Sequence, residues 1–241
     1  MIMNPIVILN EENTKTWNFL FSRQMTFLKG KVWKGFESNL ATLGLLQDKL
    51  PNLEEVDNNL FKLSNWNVQL VDGFVNPDKY LTYLSSARFP VNPRIRPHEN
   101  LDFAKEPDLF HDSFGHLHLL INKDYCTYLQ GISKLALKYI EDPQRLYLLT
   151  QFNKWTTEFG LIREQGEVKI YGAGLVSSIL EAEYVFSGTP KLFEADVNQM
   201  IATPHKPIEL QDQYFVIDSF SWLSRSLVEI EQYLLNLSWT D

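Results

Sequence analysis

Apolar residues recur at intervals of three and four along much of the chain, and this spacing constrains the fold more than any other feature of the sequence. An α-helix has 3.6 residues per turn, so such spacing places the apolar side chains on one face of an amphipathic helix. Gly30 and Gly44 follow the first two runs, and Asn52 precedes the third. The runs are Trp17, Leu20, Phe21, Met25 and Leu28; Trp33, Phe36, Leu40 and Leu43; and Leu53, Val56, Leu60 and Leu63.

Further helix starts and a few short strands complete the predicted fold. Asn76-Pro77 and Asp142-Pro143 each place a capping residue before a proline, which suits the first position of a helix. Alternating apolar residues occur only in short stretches, at 167–171 and 213–217, which is enough for small strands but not for a fold based on a sheet. The sequence therefore predicts a mainly α fold, of α+β type with minor short strands, in one domain over residues 1–241.

The composition excludes several functional classes. The chain has 22 Lys and Arg against 30 Asp and Glu, a net charge of -8, and no basic cluster of the kind that neutralises nucleic-acid phosphates. No apolar run approaches the roughly 18 residues of a membrane span, and the first residues lack the basic flank of a signal peptide. The single cysteine, Cys126, excludes a disulfide framework and a thiolate-rich metal site. We therefore expect a cytoplasmic protein without nucleic-acid or membrane partners, in which any metal is held by His, Asp or Glu.

The densest chemical signal is the segment PDLFHDSFGH, which contains His111 and His116 and is followed closely by His118. Five residues of regular helix turn through about 500°, so the first two histidines would lie about 140° apart. They can share a metal only if one of them leaves the regular helix or the turn widens, and Gly115 makes such a distortion easier. The alternative is a pair of ordinary, partly buried histidines.

A third ligand has to come from elsewhere, and Glu158 is the best candidate. It lies at the border of an apolar helical stripe that includes Trp155 and Phe159, so its carboxylate could face the interior. Lys154 stands four residues earlier on the same face. An exposed ion pair between these two side chains is therefore the alternative interpretation.

Three segments in this order, EPDLFHDSFGH, WTTEFGLI and YGAGLVSS, resemble the metal-site signatures of the pterin-dependent aromatic amino acid hydroxylases. The similarity is greatest to the short bacterial phenylalanine 4-hydroxylases and extends over about residues 16–220. It implies the single-domain catalytic fold of these enzymes, without the regulatory and tetramerisation segments of the animal proteins. We expect such a chain to be a monomer.

The resemblance implies that His111, His116 and Glu158 are the catalytic centre, as two-His, one-carboxylate ligands of Fe(II). Such a ligand set leaves coordination positions open for oxygen. Ser177 matches a residue beside the substrate that forms a hydrogen bond with the first ligand histidine, which would fix the orientation of that ring. Considered without the resemblance, this serine would be a helix cap.

The resemblance also implies a tetrahydropterin, tetrahydrobiopterin or a related reduced pterin, as the electron donor. The matching positions are Gly73, Phe74 and Val75 in a loop that lines the pterin, Tyr80 as a ring that stacks on it, and Asp112 as a nearby carboxylate. Stacking of this kind contributes about 0.5 to 1.5 kcal/mol beyond area burial. From its spacing alone, Tyr80 belongs to a helical stripe with Leu81 and Leu84 and would be a core residue.

Arg96 stands fifteen residues before His111 and matches the arginine that binds the substrate α-carboxylate. Asp108 matches the acid that positions this arginine. A guanidinium suits the task because its planar fork donates two parallel hydrogen bonds to a carboxylate. Arg94 is close enough in sequence to be an alternative. Pro107 and Phe159 match positions around the substrate ring.

Two departures from the family pattern affect the substrate prediction. Asn153-Lys154 stands where relatives have Tyr-Trp, and the tryptophan of that pair helps to enclose the substrate ring. His118 stands where relatives have a proline. We expect hydroxylation of the ring of a free aromatic amino acid, with phenylalanine to tyrosine as the first choice and molecular oxygen and reduced pterin as co-substrates. The alternatives are the same chemistry on tryptophan or an unusual aromatic substrate, and a ligand-binding homologue without turnover.

Overall fold

The structure, a computed structural model, describes residues 10–102, 106–206 and 209–237. The α-helices of this part are α1 (Glu11–Leu28), α2 (Phe36–Leu43), α3 (Leu53–Ser64), α4 (Pro77–Ser85), α5 (Lys123–Lys138), α6 (Pro143–Asn153), α7 (Ala173–Ser177), α8 (Ile179–Val185), α9 (Val197–Ala202) and α10 (Phe220–Leu235). The strands are β1 (Asn67–Leu70), β2 (Arg88–Val91), β3 (Leu161–Glu164), β4 (Glu167–Ile170), β5 (Lys191–Glu194) and β6 (Gln213–Ile217). The mainly α, α+β prediction is confirmed.

Local capping explains where the predicted helices begin and end. The side chain of Asn52 accepts hydrogen bonds from the backbone N–H groups of Glu54 and Glu55 at the start of α3, and Gly44 ends α2 with a left-handed φ of 82°. Asp142 caps α6 in the same way, by accepting from the backbone N–H of Arg145. The prediction for Asn76 was wrong, because its side chain makes no capping hydrogen bond at the start of α4. There, Pro77 alone marks the first position of the helix.

The strands form two small sheets. β1 and β2 pair in parallel, and the second sheet has the order β4-β3-β6-β5. Within it, β3 and β4 are antiparallel, whereas β6 runs parallel to both β3 and β5. The β3–β4 hairpin joins the segment that ends at Glu158 to α7, so this sheet helps to hold these two elements in place.

Two short π-helices interrupt the helical pattern, one at His111–His116 and the other at Lys154–Glu158. Phe110, just before the first π-helix, and Phe114, within it, are fully buried, and their rings stack with centroids 4.6 Å apart. Trp17 packs edge-on against Phe110 at 5.5 Å, and Phe21 packs against Phe114 at 5.1 Å. These aromatic contacts fix the π-helix against α1 and leave its histidines free to face the other side.

Within the described residues, none of the helices has the length and the apolar character that crossing a membrane requires.

Candidate metal centre and its surroundings

The first π-helix brings together the two histidines that a regular helix would separate. Its wider turn places the Nε2 atoms of His111 and His116 3.2 Å apart, with the ring planes nearly perpendicular. Gly115 allows this arrangement, because a Cβ atom here would stand 3.1 Å from the backbone oxygen of Ala173 on α7. The widened turn that the sequence spacing demanded is therefore present, and close packing against α7 supports it.

The second π-helix supplies Glu158 to the same point. Glu158 Oε2 lies 3.6 Å from His111 Nε2, and Glu158 Oε1 lies 3.5 Å from His116 Nε2. One ligand atom from each of the three residues lies within 4.8 Å of the others. Gly172 makes this approach possible, because a Cβ atom on it would stand 2.4 Å from the backbone oxygen of Glu158. The motif YGAG thus serves close backbone packing.

Ser177 determines which nitrogen of His111 is available. Its hydroxyl donates to the backbone oxygen of Ala173 at 2.7 Å, and Ser177 Oγ also lies 2.9 Å from His111 Nδ1. Since the single hydroxyl proton is already used, Nδ1 of the histidine is the donor in the second contact. His111 Nε2 therefore carries a lone pair and faces Glu158 and His116, as a metal ligand must.

The ionisation states also suit a cation. Burial lowers the pKa of His111 and lowers that of His116 to about 3, so both rings are neutral at pH 7. Burial raises the pKa of Glu158, but the positive charge of Lys154, joined in acid by that of the two histidines, outweighs this and brings it to about 2. An ionised carboxylate and two neutral imidazoles are the forms that bind a divalent metal. The donor set fits Fe(II).

The alternative ion pair of Glu158 is present as well. Lys154 Nζ lies 3.8 Å from Glu158 Oε1, and the lysine side chain is 43% exposed while that of the glutamate is 14% exposed. The carboxylate thus contacts the two histidines from a mostly buried position and the lysine at its outer edge. The two interpretations of Glu158 are therefore compatible with each other.

Arg96 and Asp108 form a buried, two-pronged salt bridge beside the first π-helix. Arg96 Nε donates to one oxygen of Asp108 at 2.8 Å and Nη2 donates to the other at 2.9 Å. Asp108 also accepts from the backbone N–H of His111 at 3.0 Å, which links the arginine to the metal centre. Burial raises the pKa of Asp108, but its bonds to Arg96 outweigh this and lower it. Arg94, by contrast, is exposed and pairs with Asp72 at the surface, so the geometry favours Arg96 over Arg94.

The residues predicted to bind the pterin are only partly assembled around this centre. Asp112 is buried and accepts from the backbone N–H of Asn92 at 2.8 Å, and burial raises its pKa well above the usual value. Burial, together with the charges of Glu158 and Asp112, raises the pKa of Tyr80. In the loop before α4, Gly73 has a left-handed φ of 69°, Val75 is half-buried and the Phe74 ring is 76% exposed.

The predicted ring-binding residues lie at the edges of the site. Pro107 is exposed, and its backbone oxygen accepts from the side chain of Asn92 at 3.2 Å. Phe159 is half-buried and packs between Trp155 and His205, with ring centroids 5.7 and 6.4 Å away. His205 lies outside every motif of the sequence, and no pattern there could have indicated its position beside the site.

His118 takes no part in the ligand cluster. Its ring is fully buried against Phe36 at 4.6 Å, and its Nδ1 atom accepts a hydrogen bond from Trp33 Nε1 at 3.3 Å. Burial lowers the pKa of His118 to about 3, which keeps it neutral. It is a core residue, in agreement with the expectation that it is not a metal ligand.

Comparison with known proteins gives consistent results. Residues 3–237 match the model of the biopterin-dependent aromatic amino acid hydroxylases. Phenylalanine-4-hydroxylase of Ralstonia nicotianae is 36% identical over 209 residues, which cover 86% of this chain and 66% of the relative. The chain thus spans slightly less than two thirds of that protein. Phenylalanine-4-hydroxylase of Chromobacterium violaceum is 34% identical over 220 residues, 91% of this chain and 74% of the relative.

The fold is similar to solved structures of the Chromobacterium violaceum enzyme. Its structure with bound iron(III) and the oxidised cofactor 7,8-dihydrobiopterin has a TM-score of 0.90 and 32% sequence identity, and the match covers 98% of this chain and 86% of that one. The structure of the same enzyme with bound cobalt has a TM-score of 0.88 and 30% identity, with 98% and 89% covered.

Proposed function

The chain belongs to the biopterin-dependent aromatic amino acid hydroxylase family, and we propose that it is an iron monooxygenase that converts free phenylalanine to tyrosine with a tetrahydropterin as electron donor. One observation carries this proposal: His111, His116 and Glu158 bring three ligand atoms within 4.8 Å of one another in a chain that matches the family over residues 3–237. The similarity to proteins named phenylalanine-4-hydroxylase supports phenylalanine as the substrate.

In this proposal, the three clustered side chains hold Fe(II). The iron and the reduced pterin would together supply the electrons and the oxygen activation that ring hydroxylation requires. Glu158 brings one negative charge, the two neutral imidazoles bring nitrogen lone pairs, and Ser177 keeps the proton of His111 on Nδ1. The protein contributes a fixed, largely buried ligand set with open coordination positions.

Arg96 and Asp108 are proposed to orient the amino acid. The guanidinium uses Nε and one N–H of Nη2 on Asp108, and the remaining N–H groups of its fork would bind the substrate carboxylate. Since Asp108 also holds the backbone of His111, the carboxylate-binding group and the metal ligand have a fixed separation. Such positioning lowers the entropic part of the activation barrier, because the reactants are already held together. Pro107 and Phe159 would border the ring of the substrate.

Tyr80, Asp112 and the loop at Gly73, Phe74 and Val75 are proposed to bind the pterin. Asp112 directly follows the proposed ligand His111 and is buried, and the charge of Glu158 contributes to the raised pKa of both Asp112 and Tyr80, which supports a cofactor position next to the metal. The exposed ring of Phe74 offers an apolar surface that a planar cofactor would cover.

Product analysis tests this function directly. The purified protein would be incubated with Fe(II), a reduced tetrahydropterin, isotopically labelled oxygen and phenylalanine, and the product would be identified by mass spectrometry. We expect tyrosine with one labelled oxygen atom and one pterin oxidised for each product. If phenylalanine stays unchanged and a parallel incubation with tryptophan gives a hydroxylated product coupled to pterin oxidation, tryptophan is the substrate. No amino acid product and no coupled pterin oxidation would favour a binding protein instead.

An unusual aromatic substrate is the second candidate, and one observation favours it. Lys154 places an ammonium group 3.8 Å from Glu158, at a position where the family resemblance implies a tryptophan. The same assay with ring-substituted aromatic amino acids would detect such a preference.

We also propose that the protein uses molecular oxygen and acts as a cytoplasmic monomer made of one catalytic domain over residues 1–241. The single cysteine and the net charge of -8 support a reducing, aqueous environment. Light scattering coupled to size-exclusion chromatography would test the monomer, with a mass of 28.1 kDa expected.

A further inference from the structure

Glu158 has a second positively charged neighbour besides the proposed metal. Lys154 Nζ lies 3.8 Å from Glu158 Oε1, which is also the oxygen 3.5 Å from His116 Nε2. The ammonium and the proposed iron would therefore approach the same carboxylate oxygen. Within the described part of the chain, Glu158 is the acid that lies within ion-pair distance of Lys154.

The backbone keeps Lys154 at this position. Its N–H donates to the backbone oxygens of Thr150 and Gln151, and its own backbone oxygen accepts from the N–H of Phe159 at 3.1 Å. The second π-helix thus closes on the lysine itself. The ammonium can move away from Glu158 only by rotation of its four-carbon stem, which is partly exposed and has room to turn outward.

The other cation near the cluster differs in one respect. Arg96 also lies close enough for its charge to lower the pKa of His111, but two hydrogen bonds to Asp108 neutralise it. This compensation does not depend on the metal site. Lys154 has its counter-charge in Glu158 itself, so a divalent ion that binds Glu158 takes away the partner of the ammonium and repels it.

We propose that Lys154 is a built-in competitor for the metal: its ammonium occupies Glu158 in the metal-free protein, must turn away when a divalent ion binds, and therefore lowers metal affinity and speeds metal release. The proposal rests on the proposed function only in taking Glu158 as a metal ligand.

Metal titration of the chelator-treated, full-length protein tests the proposal. Co(II) and, without oxygen, Fe(II) would be titrated in competition with a metal-binding dye, and release would be measured after adding excess chelator. Lys154→Met removes the charge and keeps the stem length, whereas Lys154→Arg keeps the charge. Lys138→Met is the matched control, because Lys138 pairs with Glu231 at the surface, with 2.8 Å between nitrogen and oxygen.

We expect Lys154→Met to bind both metals about tenfold more tightly and to release them more slowly, which is the effect of removing one positive charge a few ångströms from a divalent ion in a solvated setting. Lys154→Arg should stay within about threefold of the unaltered protein, and Lys138→Met should not change. Added salt should narrow the difference between Lys154→Met and the unaltered protein, because it screens the repulsion.

Equal or weaker metal binding by a folded Lys154→Met protein would overturn the proposal, and thermal unfolding of the metal-free variants would establish that they are folded. Should Lys154→Met be unstable, Lys154→Gln would replace it, with the same expected direction. A different result would contradict the proposed function itself: equal metal binding by the unaltered protein and a Glu158→Ala variant would show that Glu158 is not a metal ligand.

Discussion

The proposed metal ligands and the Arg96–Asp108 salt bridge meet at the start of the first π-helix, where Asp108 accepts from the backbone N–H of His111, but they differ in how complete they are. Arg96 and Asp108 satisfy each other through two hydrogen bonds of 2.8 and 2.9 Å. In the ligand cluster, by contrast, neutral nitrogens and a carboxylate face one another at 3.2 to 3.6 Å. The first region is part of the fold, and the second is a set of possible ligand atoms that a cation would complete.

This difference separates effects on stability from effects on metal binding. Breaking a buried ion pair by removing one partner costs about 3 to 5 kcal/mol, because a buried charge is left alone. Removing one ligand from a cluster of converging lone pairs leaves the fold largely unaffected and takes away affinity for the ion instead. Substitutions in the two regions should therefore give opposite patterns of stability and metal content.

The largest functional effect is expected for Glu158→Ala. Loss of one of three ligands should reduce iron retention strongly and bring tyrosine formation to background, while the metal-free protein unfolds at nearly the same temperature. Metal analysis after gel filtration, product analysis and calorimetry would measure the three quantities. Full iron content with full activity would mean that Glu158 is only the ion-pair partner of Lys154.

Arg96→Ala should give the opposite pattern. Losing hydrogen bonds to a charged group costs about 1.5 to 3 kcal/mol, so the KM for phenylalanine should rise about tenfold to a hundredfold. The free energy of unfolding should also fall by about 3 to 5 kcal/mol, because Asp108 is left buried without its partner. Iron content should be nearly unchanged. A large defect in Arg94→Ala, with none in Arg96→Ala, would show that Arg94, and not Arg96, binds the substrate carboxylate.

Sequence patterns predicted the parts of the fold that depend on local structure. The ends of α2 and α3 follow from Gly44 and from Asn52, whose effects reach only a few residues along the chain. The pairing of β1 with β2 joins segments about twenty residues apart, and no alternation marked either of them as a strand. Local signals carry no information about such a partner.

The candidate site shows the same limit. Residue types and the resemblance pointed to His111, His116 and Glu158, and the spacing showed that a regular helix could not bring the histidines together. The wider turn itself depends on tertiary packing of Gly115 against Ala173, which the sequence does not reveal. His205 was missed for a similar reason, since only the fold brings it against Phe159.

A smaller effect on the metal region is expected for Ser177→Ala. Without the hydroxyl, His111 Nδ1 loses the 2.9 Å contact that holds its proton and orients its ring. Loss of such a partner commonly costs tenfold or more in metal affinity, and we expect about tenfold. Metal titration would measure it, with Ser178→Ala, which removes only the cap of α8, as a control. Equal affinities in both variants would show that packing alone orients the histidine.

Acid should weaken the salt-bridge region through the carboxylate of Asp108. Arg96 lowers the pKa of Asp108 in the folded protein, so this carboxylate binds fewer protons folded than unfolded. Its contribution to stability is therefore complete above the usual carboxyl pKa near 4 and is lost as the pH falls through the lowered value. Urea unfolding between pH 7 and pH 3 should show a smaller decrease for Asp108→Asn than for the unaltered protein. Parallel curves would contradict this.

The smallest change is expected for Lys154→Trp, which tests where the lysine points when substrate is bound. Lys154 is 43% exposed and its backbone is fixed by the second π-helix, so its stem can cover the edge of the site while the ammonium reaches solvent. A tryptophan here would provide an aromatic wall for the phenylalanine ring, which is worth about 0.5 to 1.5 kcal/mol. We expect kcat/KM for phenylalanine to rise about twofold to tenfold.

Lys154→Met separates the two causes of such a gain, because it removes the charge without adding a ring. If the aromatic ring contributes to substrate binding, Lys154→Trp should have a higher kcat/KM for phenylalanine than Lys154→Met. Both variants should bind metal more tightly than the unaltered protein. Loss of phenylalanine hydroxylation in a folded, iron-loaded Lys154→Trp protein would show that the ammonium faces a polar group of a different substrate. The lysine would then belong with Arg96 as a second charge that recognises the substrate, and the substrate would be an aromatic amino acid with an acidic or hydrogen-bond-accepting group on its ring.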